Sequence, residues 1–328
     1  MDTTHDNVQK IQEGRQKQKD DDAVSGRPSL FVTLVALFYI LLWSSAFIAT
    51  KIGVTHSPPL TLLSTRFLVA GLLMAMLAWL WKLPRPQGWS AWGRLALFGL
   101  LNSALYLGCN YIALRYLSAG MGSIIAATNP LLLTLVAPFV LKERLTWWRV
   151  LGLALGFGGV LFVMAARLNT QNQVDTPGGM LLSFFGVTGL VAATIFYKRY
   201  PPLEHPFVVN AVQLSAAGLA LALPALLFEH PEHIHIDTPL AWSFLYLVLI
   251  ISIGASLLWF WLLKRGDASV VSSYYFLTPI AGLALAALLL GEPFGVRDAL
   301  GLVAVAAGIA LINRQSRLHS STSTSLKK

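Results

Sequence analysis

Ten blocks of predominantly apolar residues follow one another along the chain. They lie at about 30–50, 59–81, 92–114, 119–141, 148–166, 178–197, 207–228, 241–263, 268–290 and 297–313. Polar positions and helix breakers gather between the blocks, as at His56-Ser57-Pro58-Pro59, Pro84-Arg85-Pro86, Pro201-Pro202 and Glu292-Pro293. A helix needs about 20 residues to cross a hydrocarbon core of roughly 30 Å. Each block therefore predicts a membrane-spanning helix, and the chain predicts an all-α integral membrane protein. Buried helices of a soluble protein are the alternative, but ten apolar blocks leave too few polar helices to cover them.

Composition and charge turn the spans into a topology. Of the 328 residues, 55% are hydrophobic and only 12% are charged, against roughly 25% charged in soluble proteins. The net charge of +9 does not point to nucleic acid, because the basic residues form short clusters between apolar blocks. Cytoplasmic loops carry an excess of Lys and Arg. With the amino terminus in the cytoplasm, fifteen Lys and Arg fall on inside segments, and only Lys51, Arg115, Arg167 and Arg297 fall outside. The expectation is a multi-pass protein of the plasma or bacterial inner membrane with both termini cytoplasmic, which requires an even number of spans. Residues 1–29 lack the pattern of a secretory signal. They and residues 314–328 read as disordered tails. Cys109 is the single cysteine and lies in an apolar block, so no disulfide framework exists.

The sequence also repeats itself. At a shift of 149 residues, Ala119 falls on Ala268, Ser123 on Ser272, Pro130 on Pro279, Glu143 on Glu292, Gly152 on Gly301 and Gly159 on Gly308. At a shift of 147, Arg66 falls on Gln213 and Gly71 on Gly218. The pattern predicts two five-helix repeats, 30–166 and 178–313. An odd number of spans per repeat makes the halves insert in opposite senses. The basic residues Lys142, Arg144 and Arg149 give way to Gly291, Pro293 and Asp298 in the second copy, as a reversed orientation requires. Inverted repeats are a common plan for secondary transporters, with substrate held between the halves.

These features resemble the ten-span EamA-like members of the drug/metabolite transporter superfamily. The resemblance is carried by Trp43-Ser44-Ser45-Ala46-Phe47 through Lys51, by Thr65-Arg66-Phe67, and by the stretch from Tyr111 to Gly120. It continues through Asn129-Pro130 and Leu141-Lys142-Glu143-Arg144 into Gly152 and Gly159. Thr278-Pro279, Gly291-Glu292-Pro293, Gly301 and Gly308 repeat that pattern. It covers about residues 30–314. The resemblance implies alternating access by two five-helix halves and export of amino acids or other metabolites. The halves differ at one telling place, where Gln213 replaces Arg66.

Arg66 is the one charged residue well inside a block, and every Asp and Glu lies in a loop, a tail or at a block's end. An intramembrane charge is costly unless it faces protein or water. Arg66 either attracts an anionic substrate group or reaches for the surface and backbone carbonyls. Trp43, Ser44, Tyr106, Asn110, Asn129, Trp259, Tyr275 and Thr278 join it as candidate substrate-binding residues. Asn102, Tyr106 and Asn110 recur every four residues and share a helix face. Trp147 and Trp148 read as interfacial anchors. Pro130 and Pro279 free a carbonyl four residues back and kink the axis, which serves binding, gating or packing. Glu143 and Glu292 at matching junctions serve either as gates or as partners of a helix amino terminus. His230, His233 and His235 with Glu229, Glu232 and Asp237 form a polar loop rather than a metal site. No His lies within a block, so acid–base or metal catalysis in the bilayer has no residues to work with. No cofactor motif is present. The expected partners are a small-molecule substrate and lipid, with the protein a monomer or homodimer. A coupling ion is left open: exchange, facilitated diffusion and proton coupling through Glu143 or Glu292 all fit. Channel, scaffold and enzyme readings are weaker, since charge rings, carbonyl filters and intramembrane acids are missing from the sequence.

Overall fold

The computed structural model describes residues 30–140, 146–168, 175–265 and 277–325, and these form helices without strands. In chain order they are α1 (Leu30–His56), α2 (Pro59–Leu80), α3 (Gly88–Ala113), α4 (Ala119–Val140), α5 (Trp147–Leu168), α6 (Pro177–Arg199) and α7 (Pro206–Phe228). Helix α8 starts as Thr238–Leu245 and continues to Ser256–Arg265, followed by α9 (Thr278–Leu290) and α10 (Val296–Ser325). Eight of these, α1 to α8, are long and apolar enough to cross a membrane, and α9 is a shorter apolar helix of 13 residues.

Proline and glycine set several boundaries. Pro59, Pro177 and Pro206 open α2, α6 and α7, where the missing N–H costs no helical bond. Gly291 ends α9 with φ 64°, a left-handed conformation that side chains disfavour. Nothing breaks α1 before Ser57, so the helix runs to His56 rather than ending near residue 50. Lys51 is thus helical. Its Nζ donates to the carbonyls of Leu114 and Leu117, each at 2.7 Å, just beyond the carboxyl end of α3, where a cation meets the negative pole of the helix.

The exposed surface is apolar. Leu72, Leu161, Leu223, Leu226, Phe228 and Leu288 are each more than 60% exposed. Such a surface is far larger than the apolar patches soluble monomers bear, and lipid is the solvent that accommodates it. Without a hydrophobic drive between helices in lipid, close packing of small residues holds them. Helix α2 runs along α7, α5 along α10, and α4 against α9. Helix α3 packs on α6 and α7, α8 packs on α1 and α2, α1 touches α9, and α6 touches α4.

Both α3 and α8 contain a π-helical stretch, Leu100–Leu105 and Tyr246–Ala255. Such insertions often lie at functional sites. The helical run of α4 is interrupted by a turn at Ala127–Thr128, directly before Asn129-Pro130.

One end of the bundle is stitched by polar contacts between junctions. Glu229 accepts from Leu60 N at 2.9 Å and Thr61 N at 2.7 Å, at the start of α2. Glu292 accepts from Ala119 N at 2.7 Å and Gly120 N at 3.0 Å, at the start of α4. Asp175 accepts from Ser118 N at 2.6 Å. Arg167 Nε lies 2.9 Å from Asp298, and His56 lies 2.6 Å from Asp237. Carboxylates at helix amino termini combine charge-assisted hydrogen bonds with the helix dipole. Glu292→Gln is therefore expected to lower thermal stability by about 1–2 kcal/mol, read as a reduced Tm in detergent. An unchanged Tm would mean that the cap carries no stabilisation.

Candidate functional site

The polar centre is built around Arg66. It sits seven residues into α2, roughly 10 Å from the helix start, and is only 4% exposed. Its Nε donates to Ser252 Oγ of the α8 π stretch at 3.0 Å. Its Nη1 donates to the Tyr111 hydroxyl of α3. The guanidinium carbon lies 5.4 Å from the Phe67 ring centroid and 5.9 Å from that of Tyr111, within the range of cation–π attraction. Among the described residues no carboxylate forms an ion pair with it. Among the described residues this buried guanidinium meets hydroxyls and ring faces but no acid, and guanidinium geometry matches a carboxylate bidentately.

The Tyr106–Asn110 stripe continues from this centre into the α3–α6 contact. Asn110 Nδ2 donates to Tyr106 O at 2.9 Å, and Ser183 Oγ of α6 donates to Asn110 Oδ1 at 2.8 Å. The hydrogen-bonding capacity of Asn110 is thus partly used to join two helices. Ser44 Oγ of α1 donates to the carbonyl of Thr278 at 3.1 Å, so these two candidates meet. Among the described residues, four buried side-chain atoms have no hydrogen-bond partner: Asn129 Oδ1, Thr278 Oγ1, Asn210 Nδ2 and Gln213 Oε1. Unpaired buried polar atoms are rare and call for an explanation.

Trp43 and Trp259 come together through Tyr39. Tyr39, 3% exposed, stacks on both, with ring centroids 6.2 Å and 5.5 Å apart. Their group lies between α1 and α8, apart from the Arg66 cluster. Ser252, Ser183 and Tyr39 are all structural additions to the candidate set. Only Tyr39 had a signal, its spacing of four from Trp43.

Pro279 stands in the first turn of α9 and Pro130 in the first turn after the α4 interruption. Glu292 caps α4, as described above. Glu143 and Tyr275 lie outside the described residues. Trp147 and Trp148 are exposed at the start of α5. In the loop after α7, Glu229 and Asp237 are engaged by α2 and His56. No group of three metal-ligating residues is found among the described residues. One cavity opens at the start of α2 and another between the start of α3 and the end of α6. The first, of 240 Å³, touches Ser57, Thr61, Thr65 and Phe244; the second, of 70 Å³, touches Arg94, Phe98, Tyr197 and Tyr200. The candidate binding residues line neither.

A lipid-facing helical bundle with a buried polar centre defines a multi-pass membrane protein of the solute-transporter class. The sequence pattern of the EamA-like transporter family matches residues 30–165 and 177–314, and the chain belongs to that family, within the drug/metabolite transporter superfamily. It is 28% identical over 291 residues to the uncharacterized transporter YvbV of Bacillus subtilis, covering 88% of this chain and 94% of the relative. It is 29% identical over 286 residues to a protein of Salmonella typhimurium named "probable amino-acid metabolite efflux pump", covering 84% and 92%. A solved crystal structure matches the fold with a TM-score of 0.62 at 23% identity, covering 89% of this chain and 99% of that one. The protein is a membrane transporter and not an enzyme.

Proposed function

We propose that the protein is a secondary transporter that exports a small amphipathic metabolite bearing a carboxylate, an amino acid or a similar solute. In this reading it works by alternating access of two inverted five-helix halves that together span the membrane ten times, with both termini cytoplasmic. The observation that carries the proposal is Arg66, a buried cation without a carboxylate partner among the described residues.

Several features support the architecture. Exchanging α1–α5 with α6–α10 leaves the main helix pairings unchanged. The close contacts follow the same exchange. A Cβ on Gly71 would lie 2.9 Å from Ser215 N, and one on Gly218 would lie 3.0 Å from Leu68 N. These are mates at the 147-residue shift. A Cβ on Gly159 would lie 2.6 Å from Gly301 O, and one on Gly308 would lie 2.5 Å from Gly152 O, which are mates at the 149-residue shift. By the charge count the stitched end faces outward. Glu229 and Glu292 of the second half then hold the first half closed on the outside, as an outer gate does. Efflux as the direction, and amino-acid metabolites as the solutes, come from the resemblance and the name of the Salmonella relative. The lipid bilayer is the other partner, the assembly is a monomer or homodimer, and transport runs by exchange, by facilitated diffusion or by proton coupling through Glu143 or Glu292.

The test is exchange in proteoliposomes, with insertion fixed by labelling Arg85→Cys from the cytoplasmic face and Glu232→Cys from the outer face. Preloading vesicles with unlabelled amino acids should accelerate uptake of the same radiolabelled solute several-fold. Uptake indifferent to the internal solute would point to a channel, and labelling of both cysteines from one side would end the proposed topology.

A further inference from the structure

We propose that Asn210 and Gln213 of α7 form a second substrate subsite, which takes the amine of the solute whose carboxylate Arg66 holds. The inference rests on the carboxylate reading of Arg66. Asn210 is 1% exposed and Gln213 is 6% exposed. Gln213 Nε2 donates to Asn210 Oδ1, one turn away on the same helix. This leaves Asn210 Nδ2 as a free donor and Gln213 Oε1 as a free acceptor. Flipping both amides reverses the roles but still leaves one donor and one acceptor.

Position gives this pair its meaning. Gln213 is the counterpart of Arg66, and each stands seven residues from the start of its helix. The two helices are antiparallel: Gly71 lies against Ala211 and Ser215, while Ser64 and Leu68 lie against Gly218. Gln213 is therefore level with Gly71, five residues beyond Arg66 along α2, an axial step of about 7.5 Å. The level is also that of the α3 π stretch. A Cβ on Gly99, next to Leu100–Leu105, would lie 2.3 Å from Gln213 O. Arg66 reaches the π stretch of α8 through Ser252, so each half sets a polar residue of its second helix against a π stretch of the other half.

The chemistry of the two stations is complementary. Arg66 offers only donors and a full charge, which selects an anionic oxygen. The amide pair has no formal charge and offers an acceptor, which suits an N–H-bearing group such as an α-ammonium or a primary amide. An α-amino acid with its carboxylate toward Arg66 and its amine toward Gln213 satisfies both. The Arg66 to Gln213 replacement between halves thus separates the two ends of a zwitterion.

The double variant Asn210→Leu/Gln213→Met tests this. A merely structural pair would lower the Tm when removed. A pair bonded only to itself, with one donor and one acceptor left unmet, should leave the Tm unchanged or raised when both side chains are replaced by apolar ones of similar size. The twenty common L-amino acids serve as radiolabelled solutes in proteoliposomes. For the best-transported one, the carboxylic acid lacking the amine should compete at least tenfold less well in wild type and equally well in the double variant. Discrimination that survives the double substitution would overturn the subsite, as would wild-type protein that takes up no amino acid. A loss of discrimination with Arg66→Gln still fully active would support the amine contact while failing the Arg66 reading. A loss of transport in Arg66→Gln with discrimination intact in the double variant would do the reverse.

Discussion

Arg66→Gln is expected to reduce transport at least ~100-fold, equivalent to about 2.7 kcal/mol of lost transition-state stabilisation, while the protein remains folded. The substitution removes the one buried cation that α2 presents to Ser252 and Tyr111. Folding survives for two reasons. Removing a buried charge relieves a desolvation cost, and Gln213 already occupies the matching place on α7. Arg66→Lys keeps a charge but loses the planar fork, so an intermediate loss of roughly tenfold is expected if one ammonium contact is forfeited. The measurement is initial uptake rate in proteoliposomes, normalised to folded protein by size-exclusion profile. Full activity of the glutamine variant would remove Arg66 from the site.

Gly308→Val is expected to prevent stable folding. A Cβ there would lie 2.5 Å from Gly152 O, 2.6 Å from Gly156 N and 2.8 Å from Gly156 Cα. Every one of these is backbone, so nothing yields unless α5 and α10 separate. Overpacking that only displaces side chains costs about 1–3 kcal/mol. Separating two helices that touch at glycine exceeds that range, because close packing is what holds helices together in lipid. Gly158→Val is the internal control, since nothing lies within 4 Å of its Cβ position and the residue is exposed. The two variants differ by 150 positions yet concern the same helix pair. Expression level and Tm in detergent should collapse for Gly308→Val and stay near wild type for Gly158→Val. Equal behaviour would refute the packing of α5 on α10.

Much of the fold was legible before any coordinate. Apolar length read directly as helices, because in lipid every backbone group must be satisfied within its own segment. Pro58-Pro59 and Pro201-Pro202 marked breaks between helices. The extension of α1 through Lys51 to His56 was not legible, since a lysine looks like a loop residue until carbonyls are found for it. The interruption of α4 before Asn129-Pro130 had its signal in the proline. The π stretches in α3 and α8 had none, because Leu100–Leu105 and Tyr246–Ala255 are ordinary apolar sequence.

The candidate site was legible only in part. Arg66 stood out as a lone charge in apolar surroundings. Ser252 did not, being one of many serines and 186 positions away. Glu292 suits either a gate or a partner of a helix amino terminus, and only the structure shows that the terminus it caps is that of α4, 173 positions earlier. Asn110 shares a polar stripe that suits either a cavity or another helix, and only the structure shows that it accepts from Ser183 of α6.

The sequence by itself determined that this chain is a helical membrane protein, because bilayer thickness and backbone hydrogen bonding act on each segment separately, and its motif pattern over residues 30–165 and 177–314 determined the EamA-like family. Only the tertiary structure decided that Arg66 meets Ser252 and Tyr111, that Tyr39 bridges Trp43 and Trp259, and that Glu292 closes on Ala119. Those meetings depend on the rotation, depth and crossing of whole helices, and it is the packing of small residues between them that sets all three.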